Sequence, residues 1–170
     1  MRLLLAFVIF AASIQPAHAE QLRAAMYLID AADTVVAAGE VLLADSPDGA
    51  RMLVEMHRLP PGSYRLSIHL GGDCGPGPDD TGSMAAGMLA GDLWTPADGV
   101  GESGMASDQP PPDAGTSTTP PVLPPLEVGD DGRAAAEFIV PQITDANQLW
   151  HRSLVVHGKD DARVACGVVD

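Results

Sequence analysis

Two histidines occupy comparable places in the chain. In "GSYRLSIHLGGDC", His69 ends an alternating run and is followed by a turn and Cys74. In "RSLVVHGKDDARVACGVVD", His157 ends an apolar run, and the run after the next turn contains Cys166. Imidazole binds copper and zinc and exchanges protons near neutral pH. A lone strand histidine is most often an ordinary half-buried side chain, but the repeated arrangement favours a shared site.

Other kinds of chemistry find less support in the sequence. No serine lies in a GxSxG elbow, which argues against a Ser/His/Asp hydrolase. The glycines precede no lysine or helix, which argues against a phosphate loop. Thioethers bind copper(I), so Met84, Met88 and Met105 leave copper buffering open, although scattered methionines more often bind no metal.

The two cysteines and the N-terminus indicate an exported protein. Residues 1–19, "MRLLLAFVIFAASIQPAHA", have one early positive charge, an apolar run and small residues before Glu20, as in a secretory signal. A domain over residues 20–170 would then follow in the periplasm or outside the cell. In such an oxidising compartment Cys74 and Cys166 are predicted to form a disulfide. No later segment is long enough to span a membrane.

The charge of the chain excludes some partners. The sequence has 23 acidic residues against 9 basic ones, and its formal net charge is −14. A chain this acidic repels nucleic acid and anionic membrane surfaces, so neither is expected as a partner.

Short strands dominate the remaining pattern. Alternating or β-rich runs between Gly, Pro and Asp predict an all-β sandwich or Greek-key barrel. The predicted strands are Leu22–Ile29, Ala37–Ala44, Arg51–His57, Ser63–Leu70, Leu123–Val128, Ala134–Val140, Ser153–His157 and Arg163–Val169. Residues 75–121 contain 9 Gly, 8 Pro, seven acids and no His, Lys or Arg. This composition predicts a long, partly disordered loop.

Three segments, "LPPGSYRLSIHLGGDC", "LPPLEVGDDGRA" and "RSLVVHGKDDARVACGVV", resemble those of bacterial copper-zinc superoxide dismutases. The resemblance covers roughly residues 22–169 except the Gly/Pro-rich loop. It implies an eight-stranded Greek-key barrel, copper and zinc as cofactors, and superoxide as substrate.

The family motif GxHGFHxHxxGDC suggests roles for particular residues. His69 falls on the second copper histidine of the motif, whereas Ser67 replaces the first. His157 corresponds to the later copper histidine and Arg163 to the arginine that attracts superoxide. Cys74 and Cys166 match the family disulfide. Residues i and i+2 of a strand share one face, so Ser67 still lies beside His69.

The departures from the family predict degenerate metal sites. The family takes its bridging histidine and its zinc ligands from the loop after the GDC turn, and this loop has no histidine. Met88 falls at the bridging position and Val122 at the zinc aspartate, so we expect no zinc. Only "GKDDA" separates His157 from Arg163, where the family has a long charged loop. This spacing predicts a tight hairpin and little steering of the anion.

These observations lead to one expected function and two alternatives. The expected function is a non-enzymatic binding or structural module that retains a remnant copper site at His69 and His157. The first alternative is a copper protein with residual superoxide dismutation, in which Arg163 has its family role. The second is copper buffering. The sequence indicates no particular partner or oligomeric state.

Overall fold

The computed structural model describes residues 21–32, 34–98 and 117–170. The predicted signal over residues 1–19, Met105 and the middle of the predicted loop lie outside the described residues. The strands are β1 (Leu22–Leu28), β2 (Val36–Ser46), β3 (Gly49–His57), β4 (Gly62–His69), β5 (Gly77–Pro78), β6 (Met84–Ala85), β7 (Leu126–Val128), β8 (Arg133–Val140), β9 (Ser153–His157) and β10 (Arg163–Val168).

Eight of these strands form one antiparallel sheet in the order β7-β4-β9-β10-β1-β2-β3-β8. The first and last strands of this order, β7 and β8, are consecutive in the chain. A tight turn joins them, in which the Gly129 N–H donates to the Arg133 carbonyl at 2.9 Å. The two edges therefore lie side by side and the sheet is a nearly closed barrel, which confirms the predicted all-β fold.

Alternation along the strands fills the barrel. Met52, Val54 and Met56 of β3 are at most 3% exposed, whereas Arg51 and Glu55 on the other face are exposed. Burial of apolar area at about 25 cal/mol per Å² is the main stabilising contribution of such a core.

Strands β4 and β9 are buried on both faces over part of their length. Leu66 and Ile68 of β4 face the main core, together with Leu154 and Val156 of β9. Val155 instead belongs to a small outer cluster with Ala90 and Cys166. The outward face of β4 and β9 is therefore covered by the chain that follows Cys74.

Residues 75–98, which we call the covering chain, contain regular structure, while residues 99–116 of the predicted loop lie outside the described residues. The covering chain contains β5, β6 and two short 3-10 helices, Met88–Ala90 and Pro96–Asp98. Trp94 is fully buried in the main core. The backbone also pairs with the end of β4, since the Trp94 N–H donates to the Ile68 carbonyl at 2.9 Å. Over the described residues, no helix is both long and apolar enough to cross a membrane.

Candidate metal centre

The pairing of β4 with β9 brings the two predicted histidines to one face of the barrel. Ser67 lies opposite Val155, and His69 lies opposite Ser153. Because side chains alternate along a strand, Ser67, His69 and His157 all point away from the core that Leu66 and Leu154 enter. The site therefore lies between the barrel wall and the covering chain.

The three polar side chains converge on one point. The Ser67 Oγ lies 2.7 Å from Nε2 of His157 and 3.0 Å from Nε2 of His69. The two Nε2 atoms are 3.2 Å apart, and the two ring planes are 20° from parallel with centroids 5.4 Å apart. Ser67, His69 and His157 are only 5%, 2% and 4% exposed, so the point of convergence is screened from solvent.

Backbone carbonyls orient both imidazoles. The Nδ1 of His69 lies 2.8 Å from the carbonyl oxygen of Gly91. The Nδ1 of His157 lies 3.2 Å from the carbonyl oxygen of Asp161 and 3.1 Å from its Oδ1. These oxygens only accept, so we assign the ring hydrogen of each neutral imidazole to Nδ1. The unprotonated Nε2 atoms then face each other.

The surroundings keep both rings neutral near neutral pH. Burial is the main reason that the pKa of His69 is lowered to about 4, and the Arg163 guanidinium lowers it further. Burial likewise lowers the pKa of His157, with a further contribution from Arg65. Neutral imidazole is the form that binds a metal ion, and here it does not need to lose a proton first.

Arg163 holds the covering chain in place. Its Nη1 donates to the Gly87 carbonyl at 2.5 Å, and its Nη2 donates to the Gly91 carbonyl at 3.0 Å. Gly91 thus accepts from both Arg163 and His69. Its φ of 72° lies in the left-handed region that favours glycine. The arginine that the resemblance links to superoxide is therefore half-buried and bonded to backbone.

Two charged residues at the site were not predicted from the sequence. Arg65 lies opposite His157 in the β4–β9 pairing, and its guanidinium forms an ion pair with Asp161. Asp161 lies in the predicted tight hairpin, which a 3-10 turn, Lys159–Asp161, closes. Arg65 could have been found from the sequence, because strand alternation places it on the same face as Ser67 and His69. Asp161 could have been found as an acidic residue four positions after His157.

The disulfide joins Cys74 to Cys166, with Cα atoms 5.7 Å apart. It connects the start of the covering chain to β10. The pairing that both the cysteine count and the resemblance predicted is present.

No described contact brings Met84, Met88 or Val122, the residue at the position of the family's zinc aspartate, to the histidine pair. Met84 is 58% exposed and Val122 is 88% exposed, while Met88 is half-buried at the start of a 3-10 helix. Within residues 21–32, 34–98 and 117–170, no three His, Cys, Asp or Glu side chains lie close enough together to hold a metal ion. A surface cavity of about 350 Å³, lined by Arg65, Asp161 and His157 among others, reaches the site.

Comparisons with known proteins agree with this architecture. The sequence profile described as "Copper/zinc superoxide dismutase (SODC)" matches residues 37–169. A superoxide dismutase [Cu-Zn] of Brucella abortus is 27% identical over 168 residues, covering 91% of each chain. The corresponding protein of Escherichia coli is 26% identical over 166 residues, covering 90% of each. The solved Cu/Zn superoxide dismutase of Brucella abortus has a similar fold, with a TM-score of 0.69 and 24% identity, covering 89% of this chain and all of that one.

Proposed function

Since the chain belongs to the copper/zinc superoxide dismutase family, we propose that it is an exported member whose metal apparatus is degenerate and whose role is non-enzymatic binding or scaffolding. The observation that carries this proposal is Ser67, whose hydroxyl lies between Nε2 of His69 and Nε2 of His157. In the family motif a histidine stands at this position. Together with Met88 at the position of the bridging histidine, this replacement reduces the copper ligand set to two imidazoles.

The donor chemistry fits copper in part. His69 and His157 present unprotonated nitrogens 3.2 Å apart, and each ring is fixed through its other nitrogen, as metal-binding histidines usually are. These two residues would hold the ion. When bound, copper would supply one-electron chemistry at this place. A serine hydroxyl is a poor third donor compared with imidazole, so binding is expected to be weak.

The donor chemistry does not fit zinc. A structural zinc needs four good ligands of nitrogen, sulfur or carboxylate type. The segment 75–121, from which the family draws its zinc histidines, contains no histidine. Val122, which falls at the position of the zinc aspartate, is an exposed apolar side chain. We therefore propose that the protein has no specific zinc site.

Export supports the same function. The N-terminal segment has the pattern of a secretory signal, and the Cys74–Cys166 disulfide is typical of proteins outside the reducing cytosol. The proposed place of action is thus the periplasm or the medium, where the protein would meet a partner that the sequence does not identify.

A second candidate function is copper binding with residual superoxide dismutation. The arrangement of the histidines favours it, because both Nε2 atoms are free of hydrogen and point at one another. The position of Arg163 speaks against it, because the guanidinium already donates to two backbone carbonyls. Dismutation would also require copper to change oxidation state repeatedly while held by two neutral donors.

Activity measurements on matched variants test the proposal. Protein purified from the exporting compartment is analysed for metal, loaded with copper, and assayed for superoxide consumption. We expect little or no copper-dependent turnover in the wild type and in His69→Ala, and a gain in Ser67→His, which restores one of the two missing imidazoles. His151→Asn is the control, since His151 is exposed, and asparagine tolerates its φ of 58°. Robust copper-dependent turnover that His69→Ala abolishes would establish the second candidate instead.

A further inference from the structure

We infer that the His69–His157 pair is a binding site for a soft monovalent cation, Cu(I) or its analogue Ag(I), and that it discriminates against Cu(II) and Zn(II). The inference rests on the proposed function and specifies the oxidation state that the remnant site accepts. Four features of the site support it: unsatisfied lone pairs, donor number, charge and burial.

The first feature is a shortage of hydrogen-bond donors where Ser67, His69 and His157 converge. With the ring hydrogens on Nδ1, the two Nε2 atoms are both acceptors. The Ser67 hydroxyl has a single proton, and three acceptors compete for it: Nε2 of His157 at 2.7 Å, Nε2 of His69 at 3.0 Å and the Val155 carbonyl at 3.4 Å. At least one buried nitrogen lone pair is therefore left without a donor. A cation bound by both nitrogens would satisfy both lone pairs at once.

The second feature is the number of donors. Zinc takes four ligands in proteins, and copper(II) favours a square-planar or tetragonal set of nitrogen and oxygen donors. The site offers two imidazoles and one neutral hydroxyl. Silver(I) and copper(I), which have filled d shells, are stable with two nitrogen donors. The donor set thus meets the needs of the monovalent ions and leaves the divalent ions short of ligands.

The third feature is the charge around the site. Among the residues that the structure describes, no carboxylate forms a hydrogen bond or ion pair with either Nε2 atom, and the Asp161 carboxylate lies on the Nδ1 side of His157 and is paired with Arg65. The positive charges nearby are those of Arg65, which lies opposite His157 in the strand pairing, and of Arg163, which shares the Gly91 carbonyl with His69. No carboxylate ligand would therefore neutralise the charge of a bound ion, and the nearby guanidinium groups would repel it.

The fourth feature is burial, which makes this charge costly. The desolvation cost of an ion rises with the square of its charge, so a divalent ion costs about four times as much as a monovalent ion of the same size. Ser67, His69 and His157 are at most 5% exposed, so an ion held by them would lose most of its contact with bulk water. Burial and donor number thus select the same ions.

The test compares oxidation states directly. Ag(I), and Cu(I) under anaerobic reducing conditions, are titrated into the full-length exported protein in competition with a chromogenic chelator, and Cu(II) and Zn(II) are titrated with chelators of their own. Nuclear magnetic resonance of the histidine rings reports where each ion binds. We expect one equivalent of Ag(I) or Cu(I) to shift the signals of His69 and His157, with an affinity at least about tenfold above that for Cu(II).

Variants make the outcome specific to the pair. His69→Ala should reduce Cu(I) affinity by at least about tenfold, and His151→Asn should leave it unchanged. Ser67→His should shift the preference towards Cu(II), because it adds a third imidazole. Retained preference for Cu(I) in Ser67→His would show that donor number does not set the selectivity, and would overturn the inference.

Two further results would also overturn it. One is wild-type protein that binds Cu(II) as tightly as Cu(I). The other is the absence of Ag(I) and Cu(I) binding that depends on His69. These failures are distinct from a failure of the proposed function, which would appear as copper-dependent superoxide consumption whatever the relative affinities.

Discussion

Acid should weaken the metal-free protein before most of its carboxylates titrate. The pKa of His69 is lowered from 6.5 to about 4 in the folded state, chiefly by burial. Between these values the unfolded chain binds a proton that the folded chain does not. The free energy of unfolding therefore rises with pH in this window. The contribution of His69 is fully present above pH 6.5 and is lost as the pH falls towards 4.

The size of the effect follows from the two pKa values. For a single group with these pKa values, the free energy of unfolding falls by about 2 kcal/mol between about pH 7 and about pH 5. His157 acts in the same direction, because burial lowers its pKa as well. Protonation of some of the 23 acidic residues reduces charge repulsion in this range and acts in the opposite direction. The wild-type curve alone would mix these effects.

The assay therefore compares the wild type with His69→Gln. Glutamine does not titrate in this range, can still hydrogen-bond Ser67, and leaves the carboxylates unchanged. Denaturant unfolding of metal-free protein is followed at several pH values, and the difference in unfolding free energy between the two proteins is plotted against pH. We expect this difference to change by about 2 kcal/mol between about pH 7 and about pH 5, with the wild type losing more. Parallel curves for the two proteins would refute the argument that burial holds His69 neutral.

Three further predictions concern the disulfide, the hairpin and zinc. Replacing both Cys74 and Cys166 by serine should lower the free energy of unfolding by about 4 to 5 kcal/mol, because the bridge spans 92 residues; denaturant titration of oxidised wild type and variant measures it. Asp161→Asn should lower the pKa of His157 further, because the carboxylate raises it, and this is read from the ring signals of His157 in a pH titration. Equilibrium dialysis with zinc should leave less than one tightly bound equivalent, and a stoichiometric, tight zinc bound through residues 75–121 would contradict the alignment with the family motif.

The barrel was predictable because its strands alternate in hydrophobicity. All eight predicted strands are present, and most differ from the prediction by only one or two residues at their ends. The largest difference is at β7, predicted from Leu123 and observed from Leu126. Pro124 and Pro125 stand between these positions, and proline has no N–H to donate to a neighbouring strand. The two prolines in the sequence argued for a later strand start, but the apolar residues around them led to a prediction that was too long.

The covering chain was harder to predict because its average composition misleads. Nine glycines and eight prolines over residues 75–121 indicate disorder, but within that segment the run "MAAGMLAGDLW" contains most of the apolar side chains. Trp94 and Ala90 of this run are fully buried in the structure. A narrower window would have separated this run from the residues around "DQPPPDAGTSTTPP", which lie partly outside the described residues.

The sequence could predict which side chains belong to the candidate site but not which backbone groups contact them. His69 and His157 were proposed from their repeated arrangement and from the resemblance, Arg163 was proposed from the resemblance alone, and the position of Ser67 beside His69 followed from strand alternation. The hydrogen bonds from His69 and Arg163 to the Gly91 carbonyl were not predicted. Every residue has a backbone carbonyl, so only the path of the covering chain determines which carbonyl reaches an imidazole.

These contacts lead us to expect that the residue at position 67 affects the chemistry of the proposed site more than its geometry. If metal bonds alone oriented the histidines, loss of a ligand would release the rings. Here His69 contacts the Gly91 carbonyl, and His157 contacts the backbone carbonyl oxygen and the Oδ1 of Asp161. Arg163 and the disulfide fix the covering chain that provides the Gly91 carbonyl. The two imidazoles thus remain oriented towards one another without a third ligand, and the residue at position 67 determines the donor number of a site that the barrel has already assembled.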